Sequence, residues 1–213
     1  DLHAYLDDWQ QADPQAPLSA ETRDALVDGS QGNMLYLALA REGYCRGLFS
    51  LDAPSRLPKG LGEVYLEWMR RQFTGDPLSH PSWSSLCYAF LELLCASPEP
   101  LPQTLASRLL NWKGQDRLLA LRPLGSLVKQ EGDTWRLCHR SLGEWLTDTN
   151  LLHNYWINLE DGRSKLLHGL LPLLSGSLTV DIPSYIHRAI PELLSLLDAQ
   201  QSSNFLETNR SEI

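Results

Sequence analysis

The residues with the strongest chemical character are the consecutive His139, Arg140 and Ser141, which lie between the alternating run "TWRLC" and the amphipathic stretch "SLGEWLTD". Alternation is typical of a strand and the second pattern of a helix. A helix N-terminus exposes unpaired backbone N–H groups that attract anions. An imidazole and a guanidinium beside those groups make these three residues a candidate phosphate site. The alternative is structural, with the histidine capping the helix or bonding a nearby carbonyl.

Motifs of autonomous catalysis are absent from the sequence. It contains no GxxxxGK[ST], GxGxxG, HExxH or GxSxG pattern, its six histidines have no metal-ligand spacing, and its four cysteines form no CxxC pair. We therefore expect no catalytic residue, no metal site and no cofactor within this segment. The cysteines are expected to be buried small hydrophobic residues in a reducing compartment.

Basic residues concentrate between positions 108 and 140. This window has seven Lys and Arg against three Asp and Glu, although the net charge of the chain is −8. It is either a solvated helix face or a surface that meets phosphate or an acidic partner. For the second interpretation, Arg117, Arg122 and Arg136 are the candidate contacts.

The composition is that of a globular protein. The 213 residues are 43% hydrophobic and 21% charged, which favours one sizeable core or two small ones. No apolar run approaches the roughly 20 residues of a membrane span, so we expect a cytoplasmic protein with no membrane partner. Because the chain begins without methionine and inside an apparent helix, we also expect a segment of a longer protein.

Helical spacing dominates the first part of the chain. In "LPKGLGEVYLEWMRRQF", Leu61, Val64, Tyr65 and Trp68 recur on one face. The stretch "TGDPLSHPS" then breaks the pattern and indicates a boundary. We therefore predict a helical bundle as a first domain, residues 1–76.

Three helical stretches are followed by a hairpin signal in the middle of the chain. The extended runs "GSLVKQ" and "TWRLCH" flank "EGD", a turn centred on Gly132. Three helices and a hairpin, in this order, are typical of a winged helix, so we predict a winged-helix domain with a small hairpin wing at residues 77–150. Further helices interrupted at Pro172 and Pro191 predict a helical linker, or the start of a helical-repeat arm, at 151–213. The predicted fold class is mainly α.

Four stretches together carry a family resemblance: "SQGNMLYLAL", "LPKGLGEVYLEWMRRQF", "LCHRSLGEWLTD" and "YIHRAIPELL". In this order and spacing they resemble the region directly after the nucleotide-binding core in NACHT and NB-ARC signal-transduction ATPases, the STAND class. The similarity covers nearly the whole chain, from "DLHAYLDDW" to about Leu197. The fold that it implies is a helical domain followed by a winged-helix domain, both folded against the ATPase core.

The resemblance also implies a role for His139. In the family, a winged-helix histidine in a motif M-H-D or h-H-x-S contacts the β-phosphate of bound ADP and holds the closed, inactive state. His139 and Ser141 in "CHRS" match this motif, whereas "GRSKLL" departs from a second family pattern, with Arg163 in place of a histidine. ADP or ATP with Mg²⁺ is then expected in the parent protein. The implied partners are its ATPase core, C-terminal sensor repeats and, in the active state, further copies of the parent, as in innate-immune or stress signalling.

Two other functions remain open from the sequence. A DNA-binding winged-helix regulator would place Arg117 and Arg122 of "QDRLLALRPL" in the major groove. Against it, this stretch has four leucines and few side chains that read bases, so nucleic acid is the less favoured partner. The third function is an α-helical scaffold or adaptor without a switch.

Overall fold

The computed structural model describes residues 1–73, 80, 83–151, 154–173 and 181–196. The chain is mainly helical with one small antiparallel sheet, which confirms the mainly α prediction. It divides into two compact units, Asp1–Thr74 and Gly75–Ile213. Among the described residues, no helix is long and apolar enough to cross a membrane. The stretch at 74–79 where the domain boundary is predicted, and the chain end at 197–213, lie outside the described residues.

The first unit consists of helices and the loops that join them. They are α1 (Leu2–Ala12), α2 (Ala20–Ser30), α3 (Met34–Cys45) and α4 (Gly60–Gln72), with a 3₁₀ turn at Pro54–Arg56. Three of these helices begin at a polar N-cap, because Asp1, Ser19 and Asn33 each accept a hydrogen bond from a backbone N–H of the first turn.

The core of the first unit lies between these helices. Val64, Tyr65 and Trp68 of α4 are buried, as the helical spacing predicts. Tyr36 of α3 is also buried, and its hydroxyl donates to the Pro58 carbonyl oxygen at 2.5 Å. This hydrogen bond ties α3 to the loop that leads into α4. It also satisfies a polar atom that would otherwise be costly to bury.

The first described helical element of the second unit is a π-helical turn, Trp83–Cys87, that continues into α5 (Tyr88–Ala96). Its other elements, in chain order, are β1 (Leu101–Pro102), α6 (Gln103–Leu109), α7 (Asp116–Leu124), β2 (Val128–Glu131), β3 (Thr134–Leu137), α8 (Arg140–Thr147), α9 (Leu159–Leu170) and α10 (Asp181–Leu196). A 3₁₀ turn, Leu171–Leu173, contains Pro172 and follows α9, whereas α10 continues through Pro191.

The strands form an antiparallel sheet in the order β1-β3-β2. The predicted hairpin is present, and Gly132 in its turn has a φ of +56°, a left-handed value that glycine adopts easily. Gln103 fixes the turn, because its N–H donates to the Asp133 carbonyl at 2.8 Å and its side-chain amide donates to the Gly132 carbonyl at 3.1 Å. The edge strand β1 is an addition to the sequence prediction.

Aromatic packing fills the centre of the second unit. The rings of Phe90, Trp112 and Trp135 lie with their centroids 5.0 to 5.7 Å apart. Trp135 alternates with more exposed neighbours along β3, so the sheet turns one face towards this cluster. Aromatic contacts of this kind stabilise a core beyond the area they bury.

The cysteines depart from one expectation. None of the four forms a disulfide. Cys87 is buried, Cys95 and Cys138 are half-buried, and Cys45 is exposed. Cys45 is the last residue of α3, and the buried residues of that helix end at Gly43. The prediction that all four cysteines are buried is therefore confirmed for Cys87, holds only in part for Cys95 and Cys138, and is wrong for Cys45.

Candidate functional site

His139 forms the N-cap of α8. Its backbone is extended, with φ −155° and ψ 151°, and its Nδ1 accepts the backbone N–H of Ser141 at 3.2 Å. The Ser141 hydroxyl lies 2.8 Å from the same nitrogen. Since the first N–H groups of a helix have no partner inside it, the imidazole supplies the acceptor that Ser, Asp or Asn usually provides at this position.

This contact assigns the proton of the neutral imidazole. A backbone N–H can only donate, so Nδ1 of His139 is the acceptor and the ring proton lies on Nε2. The ring therefore offers a second hydrogen-bond donor on its far side, and the residue is exposed. A single side chain can thus cap the helix with one nitrogen and donate to a ligand with the other.

Packing beneath α8 holds this histidine in place. Leu142, Trp145 and Leu146 are buried on one face of the helix, at the i, i+3, i+4 spacing of an amphipathic helix. The residue before the cap is bonded to the chain that leads into β2, because the Cys138 N–H donates to the Leu127 carbonyl at 2.8 Å. The position of the histidine therefore depends on both the hairpin and α8.

A cleft of about 480 Å³ opens beside the cap. Apolar side chains, among them Leu94 and Leu137, form part of its wall, together with the segment from Ser97 to Pro100 that precedes β1. The titratable residues of the lining are Cys95, Glu99, Arg136, His139, Arg140 and Glu144. Three of the candidate residues named from the sequence, Arg136, His139 and Arg140, thus line one cleft, and Ser141 contacts the histidine.

Both arginines of the cleft are paired with glutamates. Arg140 Nε lies 2.8 Å from Glu144 Oε1, one helical turn further along α8. Arg136 of β3 pairs across the hairpin with Glu131 of β2. The hydrogen bond from Arg136 lowers the pKa of the Glu131 carboxyl below its usual value. These pairs are solvent-exposed, so they are weak enough for an anion to replace the glutamate.

A third ion pair involves the cleft residue Glu99. Its carboxylate accepts from Arg188 Nε of α10 at 2.7 Å. The same hydrogen bond raises the pKa of the Arg188 guanidinium above its usual value. The cleft therefore contains balanced charge rather than a strongly cationic field.

Arg117 and Arg122 lie elsewhere, on α7. Both are exposed and neither lines the cleft. Arg117 Nη1 approaches Gln103 Oε1 at 3.5 Å, a distance at the limit of a hydrogen bond. The structure thus separates the predicted site residues into two groups, one at the start of α8 and one on α7.

The sequence prediction missed the acidic partners of the cleft. Glu144 follows Arg140 by four residues on one helix, a spacing that indicates an ion pair and was readable in the sequence. The pair of Glu99 and Arg188 joins residues 89 positions apart, so no local pattern could reveal it. It depends on the packing of α10 near β1.

Within the described part of the chain, no group of three or more His, Cys, Asp or Glu residues could hold a metal ion. Comparisons with known protein families, with curated proteins and with solved structures find no match.

Proposed function

We propose that this chain is a regulatory, non-catalytic segment of a STAND-class ATPase, which senses the nucleotide state of the ATPase core and transmits it to a C-terminal sensor. The observation that carries the proposal is the double use of His139. Its Nδ1 caps α8, and its Nε2–H remains available at the rim of a cleft next to Arg140. A donor so placed can contact a phosphate oxygen.

The order of elements in the second unit supports the proposal. A helix, a short strand, two helices and a hairpin follow one another, and the sheet order is β1-β3-β2. We interpret this arrangement as a winged helix in which the turn at Gly132 is the tip of the wing. In this interpretation, the wing leads directly into His139 and α8, so a contact at the histidine bears on the placement of the whole wing.

The proposed role is a latch between two arrangements of the parent protein. In the closed arrangement, the core brings a nucleotide phosphate within reach of the Nε2–H of His139, and Arg140 exchanges Glu144 for the anion. A hydrogen bond to a charged group contributes about 1.5–3 kcal/mol, which changes an equilibrium by about 10- to 150-fold. Because the contact exists only in the closed arrangement, it favours that arrangement by this amount.

The residues of this chain fit part of a nucleotide site. They offer hydrogen-bond donors to a phosphate but, within the described residues, no cluster of metal ligands. ADP or ATP and its Mg²⁺ would therefore be held by the ATPase core of the parent. The nucleotide would supply the acceptor oxygen for the histidine.

The test uses the intact parent protein, purified with the nucleotide that it retains and analysed by mass spectrometry. His139→Ala removes both the cap and the Nε2–H, whereas His139→Asn keeps a capping oxygen and leaves no donor at the position of Nε2, because its amide NH2 lies closer to the backbone. We expect both variants to lose retained ADP and to self-associate more than the wild type. If His139→Asn keeps ADP as the wild type does, the histidine acts only as a cap and the latch is refuted.

A second test needs only this chain. In the ¹⁵N spectrum of the neutral imidazole of His139, we expect the shift pattern of the tautomer protonated at Nε2. The pattern of the Nδ1–H tautomer would mean that the cap contact at 3.2 Å does not form in solution, and that the donor assigned to the latch is not present.

A further inference from the structure

The outward face of α7 combines two apolar side chains with a cation. Ala120 and Leu124 turn into the core, whereas Leu118 and Leu119 are 62% and 49% exposed. Arg122 follows Leu118 by four residues and Leu119 by three, so the three side chains are neighbours on the side of the helix opposite the core. We call Leu118, Leu119 and Arg122 the α7 face.

The cations at this helix have no acidic partner in the described part of the chain, unlike those of the cleft. Among the described residues, Lys113, Arg117 and Arg122 form no ion pair, whereas Arg136 and Arg140 do. The acidic residue of α7 is Asp116, and its carboxylate accepts the backbone N–H of Lys113 at 2.7 Å. This carboxylate is therefore engaged with the turn before the helix, and in the part of the chain that the structure describes, the surrounding cationic side chains have no ion-pair partner.

Neighbouring exposed leucines distinguish this surface from a merely solvated basic face. A single exposed leucine is ordinary, but two adjacent exposed leucines on one short helix form a continuous apolar surface in water. A binding partner would cover this surface. Nucleic acid offers phosphates and polar base edges to an approaching helix, and it would leave most of this apolar area without a complementary surface. A protein helix with an apolar stripe covers it well.

We propose that the α7 face docks an acidic amphipathic helix of a partner protein. The leucines of the face pack against the apolar stripe of that helix, and glutamates or aspartates that flank the stripe pair with Arg122, Arg117 and Lys113. The charge determines which helix binds, because a basic amphipathic helix would place like charges together. This inference concerns a surface other than the cleft and involves no nucleotide, so it stands or fails independently of the latch.

The probe is a pair of labelled synthetic helices, with leucines along one stripe and flanking glutamates in one peptide and lysines in the other. Binding to the 213-residue chain is followed by fluorescence anisotropy at low salt. We expect the glutamate peptide to bind with a Kd on the order of 10–100 µM, the lysine peptide to bind at least about tenfold more weakly, and added salt to weaken the first complex.

Two variants and their matched controls assign the binding to the α7 face. Replacing both leucines by serine should weaken the binding of the glutamate peptide about tenfold or more. Arg122→Glu should weaken the binding of the glutamate peptide and strengthen that of the lysine peptide. The controls are Met34→Ser and Arg70→Glu, which change an exposed apolar residue and an exposed arginine of the first unit. They should leave both affinities unchanged, and all four proteins should melt near the wild-type temperature.

Three results would overturn the proposal. The first is the absence of binding by the glutamate peptide at concentrations up to about 1 mM, which is far above the expected Kd. The second is equal binding of both peptides. The third is binding of duplex DNA that Arg122→Glu abolishes and the leucine variant leaves intact, because that pattern belongs to a nucleic-acid surface.

Discussion

The contact between α5 and α9 makes a quantitative prediction at Gly162. A Cβ atom at this position would lie 2.6 Å from the Glu92 carbonyl oxygen, 3.0 Å from Glu92 Cγ and 3.1 Å from Ala96 Cβ. The closest of these atoms belongs to the backbone of the facing helix, so no change of rotamer relieves the contact. Gly162→Ala therefore forces the two helices apart or distorts one of them.

Two opposing effects determine how much unfolding free energy Gly162→Ala loses. Replacing glycine by alanine inside a helix stabilises it by about 1 kcal/mol. Overpacking a well-packed site costs about 1–3 kcal/mol, and a clash with backbone lies at the upper end or above it. We therefore expect a net destabilisation of about 1–2 kcal/mol, which corresponds to a fall in Tm of roughly 4–8 °C for a unit of this size.

The assay is urea and thermal unfolding followed by tryptophan fluorescence, with Gly143→Ala as the matched control. Gly143 also lies inside a helix, but its added Cβ meets only the end of the flexible Leu137 side chain, at 3.1 Å. This control gains the same helix propensity and should be neutral or slightly more stable than the wild type. Equal stability of the two variants would refute the argument from packing at Gly162.

Three further predictions follow from buried groups. Burial, and then the charge of a nearby carboxylate, raises the pKa of Tyr36 to about 12. Because unfolded tyrosine ionises near pH 10, the first unit should lose about 3 kcal/mol of unfolding free energy between about pH 10 and pH 12. The urea midpoint should fall over this range, and Tyr36→Phe should remove the fall. Burial raises the pKa of Cys87 to about 12, so a thiol reagent at neutral pH should label exposed Cys45 at once and buried Cys87 only on unfolding, as peptide mapping would reveal. Glu92 is 1% exposed and its partner Lys165, 2.6 Å away, is 57% exposed. Lys165→Met leaves the buried carboxylate without its partner and should therefore cost about 2–3 kcal/mol of unfolding free energy, whereas Glu92→Gln removes the buried charge and should cost less. The opposite order would contradict this account.

Helix periodicity and turn chemistry made much of the fold predictable from the sequence. In α4 the apolar spacing selects the side that is buried, and the hairpin is marked by Gly132 between two alternating runs. Both signals are local, since each depends on residues within a few positions of one another.

The missed features depend on contacts between distant parts of the chain. The strand β1 has two residues, Leu101 and Pro102, which is too short for any alternation to appear, and it exists because β3 pairs with it. The apolar residues of α3 surround the helix so evenly that its sequence does not show which side faces the core. The sequence therefore does not show that Cys45, at the end of this helix, is exposed; the packing of the folded chain does.

The candidate site was predictable in one part and not in the other. The junction of strand and helix identified His139 and its neighbours, because the change of period is visible in the sequence. The sequence also grouped Arg117 and Arg122 with Arg136 by charge alone. Charge in a sequence window carries no information on direction, and the structure places Arg136 at the cleft and the other two on α7.

The structural and functional interpretations of His139 are compatible, because they use different nitrogens. An imidazole that capped α8 through Nδ1 and had no other role could be replaced by asparagine, which caps helices as well as any residue. An imidazole that only donated to phosphate would have no need of the 2.8 Å contact with the Ser141 hydroxyl. Together the two contacts fix the tautomer and the orientation of the ring before any ligand arrives. The cap would therefore orient the Nε2–H towards the phosphate in a latch. A substitution that keeps the cap and has no donor at the position of Nε2 separates the two roles.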